Sequence, residues 1–257
     1  MGRCRKWLVG CGTCMPLVLA AVACTHTEHA SGQWGYEGSI RPEYWAQLSP
    51  EYTVCGVGRE QSPIDISDAV PSRMDALNFF YQDTPLRILN DGHTIQVAGD
   101  TAGFMQIGGS RYDLVELHFH RPSEHKVNGR SYEMEIHLVH RGIDGEPVFV
   151  GILMDQGERE NSVLQKVWDY LPPDDRQQHL VEQVFINPGE LLPAKRSFYS
   201  YSGSLTTAPC SERVKWYVMK QPILVSEQQV TQFSSLYRTN ARPIQPSNGR
   251  VIEQSIR

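Results

Sequence analysis

The stretch Glu116-Leu117-His118-Phe119-His120-Arg121-Pro122-Ser123-Glu124-His125, followed by Glu133-Met134-Glu135-Ile136-His137-Leu138-Val139-His140, decides how this chain is read. Side chains on a strand alternate between its faces, so His118 and His120 share one face and Phe119 takes the other. His137 lies 17 residues beyond His120, on a second alternating run. Asn128-Gly129 between the runs is a hairpin-turn pair that makes them antiparallel neighbours. Three imidazoles then converge. Three histidines with a fourth position open form the ligand set of a catalytic rather than a structural zinc. Glu116 and Glu135 each precede a histidine by two residues. On that face a carboxylate accepts the second ring N–H and fixes the tautomer. The same residues also fit a plainer reading, histidines and carboxylates on a polar sheet face.

Working outward, residues 94–97, 112–120 and 132–140 alternate in the strand manner. The second run alternates around Leu114, Glu116, His118 and His120, and the third carries Glu133, Glu135 and His137 on one side. Residues 148–154 form a continuous apolar run, which suits a central strand, and residues 214–219 form another. Helical patterns are fewer: 161–170, 174–180 and 226–236, the last capped by Ser226. Proline and glycine recur at short intervals, with no repeat and no internal linker. The expected fold class is mainly β, one domain with short peripheral helices.

The first residues differ from the rest. Arg3, Arg5 and Lys6 precede an apolar, small-residue run ending in Ala21-Val22-Ala23, the pattern of an export signal. The expected division is a signal peptide over 1–23, a short polar tether over 24–33 and one domain over 34–257. Cys24 follows directly, as at a lipoprotein processing site, although Ala21 stands where leucine is usual. Soluble periplasmic and lipid-anchored mature forms both remain open. Past Cys24, Cys55 and Cys210 are the remaining cysteines, a natural disulfide pair in an oxidising compartment. The whole chain has 24 basic and 29 acidic residues, net −5. Removing three basic residues with the signal leaves 21 against 29, or −8. An acidic body argues against nucleic acid as a partner.

The chain resembles the alpha-class carbonic anhydrases from Trp34 to about Arg250, through ordered blocks. These are W-G-Y at 34–36, R-E-Q-S-P-I-D-I at 59–66, N-D-G-H-T-I-Q-V at 90–97 and the two histidine stretches quoted above. Y-S-G-S-L-T-T at 201–207 and N-A-R-P-I-Q-P at 240–246 complete the set. The resemblance implies a large, twisted, mostly antiparallel sheet with a zinc at the base of a cleft. It implies zinc ligands His118, His120 and His137, and the interconversion of carbon dioxide and bicarbonate. Glu124 and Thr206 match the pair that orients the zinc-bound hydroxide, and Thr207 matches the bicarbonate site. His93 matches the proton shuttle, with Tyr36 and Gln96 ordering the water between. Val139, Leu205, Val214 and Trp216 match the apolar wall beside the substrate.

Two departures stand out. Phe149 occupies a wall position that usually carries a smaller aliphatic residue, and Asp91 stands where asparagine is common. Ser62-Pro63 and Ala208-Pro209 are candidate cis bonds. The cysteine pair resembles bacterial members, where such a bridge anchors the loop carrying L-T-T. Bacterial relatives are often homodimers, an expectation carried by the resemblance alone. His118, His120 and Glu124 also fit the spacing of a first cupin motif, but the second cupin motif is absent after residue 140. A non-catalytic relative on the same fold is disfavoured, since all three histidines, Glu124 and Thr206 are present.

Overall fold

Asn128 and Gly129 both take positive φ, 50° and 79°, the left-handed pair that a two-residue hairpin turn requires. Val127 and Arg130 exchange backbone hydrogen bonds of 3.0 Å in both directions across it. The strands on either side, Ser110–His120 and Met134–Gly142, run antiparallel, with His118 opposite His137 and His120 opposite Glu135. Cross-strand partners share a face, so all three histidines point the same way.

A computed structural model describes residues 33–174 and 176–256. The signal, Cys24 and all of the tether except Gln33 lie outside the described residues. A sheet of 13 strands organises the chain. Its main path runs Gln178–Ile186, Thr84–Asn90, Ile95–Ala98, Ser110–His120, Met134–Gly142, Pro147–Gly157, Glu212–Met219, Phe198–Ser204, Glu253–Ser255 and Val70–Ser72. Most pairs are antiparallel. Pro147–Gly157 runs parallel to both Glu212–Met219 and Ile223–Ser226. It is buried on both faces, which accounts for its unbroken apolar run.

The sheet separates two apolar clusters. One holds Leu117, Phe119, Ile136, Leu138, Val150 and Ile152, covered by Trp168 and Phe233 from two helices. The other, on the histidine side, holds Ile64, Ile66, Phe149, Val214, Trp216 and Val218. Met134–Gly142 is therefore buried on both sides, with Ile136 and Leu138 in the first cluster and Glu135 and His137 facing the second. Helix Ser162–Trp168 begins where the Asn161 side chain accepts the Leu164 N–H. Helix Glu227–Leu236 begins in a capping box between Ser226 and Gln229.

Two local readings are corrected. Among the described residues of 174–180 there is no helix; Gln178–Ile186 is an edge strand on Thr84–Asn90. Val181, Val184 and Ile186 pack on the first cluster while Leu180 and Phe185 face outward, and pairing with the sheet edge overrides a polar composition that reads as helical. Second, Leu114 does not share the histidine face. A bulge between Leu114 and Glu116 inserts one residue and turns Leu114 into the first cluster opposite His140. The Ser62–Pro63 and Ala208–Pro209 bonds are cis, as is Arg121–Pro122.

His140 lies on the first-cluster side with no exposure, its Nε2 2.6 Å from the Tyr81 hydroxyl. Burial pushes its pKa down to about 4 from 6.5. The unfolded chain therefore binds the extra proton. Stability from this group is complete above about pH 6.5 and is lost as pH falls toward about 4. Between about pH 7.5 and about pH 5 the loss amounts to roughly 2 kcal/mol. Urea unfolding of the wild type and of His140→Gln at both pH values should show the variant losing less. Equal losses in the two proteins would remove His140 from the account.

Candidate metal centre and active site

Each of the three histidines is held by one ring nitrogen. His118 donates from Nδ1 to Glu116 at 2.9 Å, His120 from Nδ1 to the Asn240 carbonyl at 2.7 Å, and His137 from Nε2 to Glu135 at 3.0 Å. All three are buried, and one nitrogen of each lies within 4.8 Å of the others. His118 Nε2 and His137 Nδ1 face each other at 3.3 Å. With their opposite nitrogens donating, both of these carry bare lone pairs when the rings are neutral, and such lone pairs repel unless a cation lies between them. His120 Nε2 is buried without a partner, a costly state that metal ligation relieves. The donor set thus fits a zinc ion.

Burial lowers the pKa of His137 to about 4 and that of His120 well below its usual value, the latter helped by its neighbours His137 and His118. Both are then neutral at pH 7, as ligands must be. For His118 burial acts downward, but Glu116 on Nδ1 outweighs it and the net shift is up. Glu135 sits over Gly151; a Cβ there would come within 2.7 Å of Glu135 Oε1, so only glycine admits the carboxylate.

Glu135 also serves a residue that the sequence reading leaves without a role. His125 donates to it from Nδ1 at 2.7 Å and from its backbone N–H at 2.8 Å. With Nδ1 donating, His125 Nε2 accepts from the Tyr201 hydroxyl at 2.6 Å, and Tyr201 accepts from Ser62 at 2.8 Å. Hydrogen bonds thus run in one direction from Ser62 to Glu135, which accepts from His137 on its other side. Burial tends to raise the Glu135 pKa, but His125 and His137 outweigh it and hold it well below the usual carboxylate range. The only sequence cue to His125 is its place directly after Glu124.

Glu124 is buried beside the cluster, its Oε2 3.5 Å from His120 Nε2 and 3.9 Å from His137 Nδ1. Its Oε1 accepts the Arg242 backbone N–H at 2.7 Å. Burial raises its pKa well above the usual value, against the Thr206 hydroxyl and that N–H, which lower it. The Thr206 contact falls short of full hydrogen-bond geometry, so Oε2 has no complete partner. Positive charge among the imidazoles would favour the ionised form.

A cavity of about 270 Å³ opens onto the cluster. Tyr36, His93, Gln96, Glu116, His118, His120, Phe149, Leu205, Thr206 and Thr207 line it. Val139, Val214 and Trp216 belong with Phe149 and Leu205 to the apolar cluster on this side of the sheet. Phe149 pairs across strands with Val139 on one side and Trp216 on the other, so the three form one row. His93 stacks on Trp34 at 3.9 Å, and its Nε2 lies 2.9 Å from the Trp34 carbonyl. Asp91 accepts the backbone N–H groups of His93 and Thr94, each at 2.8 Å, and the Gln96 amide at 3.1 Å. Cys55 and Cys210 are joined in a disulfide, and the Cys210 N–H donates to the Thr207 carbonyl at 2.8 Å.

The family model for eukaryotic-type carbonic anhydrase matches residues 40–256. A carbonic anhydrase from a Nostoc species is 41% identical over 228 residues, 87% of this chain and 86% of that protein. One from Klebsiella pneumoniae is 41% identical over 226 residues, 86% of this chain and 91% of its own length. The alpha-carbonic anhydrase of Thermovibrio ammonificans, solved with the inhibitor sulfanilamide, superposes with a TM-score of 0.82 at 41% identity. That match covers 87% of this chain and all of the other. A mainly β fold around a buried three-histidine cluster defines a carbonic anhydrase of the alpha class. This chain belongs to that family, whose reaction is the reversible hydration of carbon dioxide to bicarbonate and a proton.

Proposed function

We propose that this chain carries out that hydration with a zinc ion held by His118, His120 and His137, and with His93 carrying the proton away. The observation that supports it most is the pair of bare nitrogens 3.3 Å apart beside the unpartnered His120 Nε2. Zinc in such an open site acidifies the water in its fourth position, and carbonic anhydrases are the reference case of that effect. The protein's own groups do the rest. Thr206 donates its single O–H to ionised Glu124 and so can only accept from the attacking oxygen, which aims that oxygen's lone pair at the substrate. Thr207, Leu205 and Phe149 border the space for carbon dioxide, with Val139 and Trp216 beside Phe149 on the neighbouring strands.

His93 borders this cavity and also an outer hollow of about 440 Å³, so its ring has access to both sides. Imidazole is the side chain suited to proton transfer near neutral pH. His93→Ala should lower kcat by about tenfold or more while sparing zinc and kcat/KM, with partial rescue by imidazole buffer. No effect of buffer would end the shuttle assignment. Phe149→Val shortens a side chain that lines the cavity and should raise kcat/KM; unchanged or lower values would show that the ring does not crowd the substrate.

Stopped-flow hydration with and without a zinc chelator, alongside metal analysis, tests the function. A metal-free protein inert toward carbon dioxide would refute it. We also propose that the chain is exported. The Cys55–Cys210 bridge suits an oxidising compartment, as does the basic, then apolar, start of the sequence. The mass of the mature N-terminus tests this; an uncleaved Met1 would count against it.

A further inference from the structure

Arg242 is a buried cation, 3% exposed, with no carboxylate in salt-bridge range among the described residues. A buried charge is costly unless its donors are satisfied, so an arginine retained here calls for an explanation. Its guanidinium donates to two backbone carbonyls, Ser62 at 2.7 Å and Cys55 at 3.1 Å, and lies 5.7 Å from the Trp45 ring centroid. Both anchor points are themselves fixed. The Ser62 N–H donates to Ser204 at 2.8 Å and its hydroxyl binds Tyr201, while Cys55 is bonded to Cys210.

The backbone N–H of the same residue donates to Glu124 Oε1 at 2.7 Å. The terminal torsion of a glutamate is broad and roughly two-fold, so an unheld carboxylate exchanges its oxygens freely. With Oε1 taken, Oε2 is the oxygen that lies by the histidines, 3.5 Å from His120 Nε2, and the one left free to accept. The other arm of Arg242 leads through Cys55 and the disulfide to Cys210, whose N–H binds the Thr207 carbonyl next to Thr206. One residue, through its backbone N–H and its side chain, thus ties both members of the Glu124–Thr206 pair to a common frame.

We propose that Arg242 is a positioning residue for the hydration reaction: clamped on the Ser62 and Cys55 carbonyls, it holds its own N–H on Glu124 Oε1 and thereby presents Oε2 to Thr206. This rests on the function proposed above. If Arg242 acts through Glu124, its removal matters only while Glu124 can accept from Thr206. A purely structural role predicts the same penalty whatever stands at residue 124.

The test is a double-mutant cycle on the zinc-loaded enzyme. Arg242→Met keeps the stem against Trp45 and deletes both donor arms. Its kcat/KM for carbon dioxide hydration should fall about tenfold in the native background and less than about twofold in a Glu124→Gln background, with zinc content equal in all four proteins. Equal falls in both backgrounds, or no fall in the native one, would overturn the proposal. Should Arg242→Met fail to yield folded, zinc-loaded protein, Arg242→Lys goes through the same cycle. It keeps the charge but gives up the two-carbonyl fork, and about a threefold effect confined to the native background is expected. A wild-type protein without chelator-sensitive hydration would refute the function itself, whereas an active wild type with equal penalties refutes Arg242 alone.

Discussion

His137→Ala is expected to give protein without stoichiometric zinc and with hydration activity lower by about three orders of magnitude or more. Two imidazoles from one strand remain, His118 and His120, and two ligands rarely hold a catalytic zinc. The ring removed also carries one of the two bare nitrogens 3.3 Å apart, and its other nitrogen donates to Glu135. Truncation leaves a void against Trp216, whose ring centroid lies 4.8 Å from that of His137. Some loss of stability therefore accompanies the loss of metal. Metal analysis and stopped-flow hydration on the same sample decide the matter. A variant that keeps equimolar zinc and near-native turnover would end the ligand assignment.

Thr206→Val should retain zinc while kcat/KM falls by about a hundredfold, the scale seen when one preorganised hydrogen-bonding group is removed from an active site. Valine matches threonine in shape but can neither accept from the attacking oxygen nor donate to Glu124. It leaves Glu124 Oε2, already short of a complete partner, beside an added methyl group. A kcat/KM within about twofold of the wild type would remove Thr206 from the relay.

Much of the metal centre is local and so was readable. Alternation puts His118 and His120 on one face without reference to the rest of the chain. Asn128-Gly129 encodes its own positive-φ turn, and the Ser226–Gln229 capping box begins a helix from four residues. Glu116 and Glu135 reach their histidines because same-face neighbours on a strand are close. Where local signals were weak the reading went astray. The polar run at 174–180 reads as helix, yet its downstream half gains more by pairing on the sheet edge. A bulge near Leu114 leaves no mark in residue type, so the phase of that strand could not be followed upstream of Glu116.

The sequence by itself determined the ligand types, their shared face, the turn between their strands and the carboxylates beside two of them, because each depends on neighbours along the chain. The tertiary structure alone decided what holds His120, which is a backbone carbonyl of Asn240 120 residues away. It alone joined His125, Tyr201 and Ser62 into one chain and set Arg242 against Glu124. It also put Phe149 between Val139 and Trp216 in one row across three strands. A carbonyl oxygen is the same on every residue, and a hydrogen bond between distant segments exists only once the sheet has brought them together.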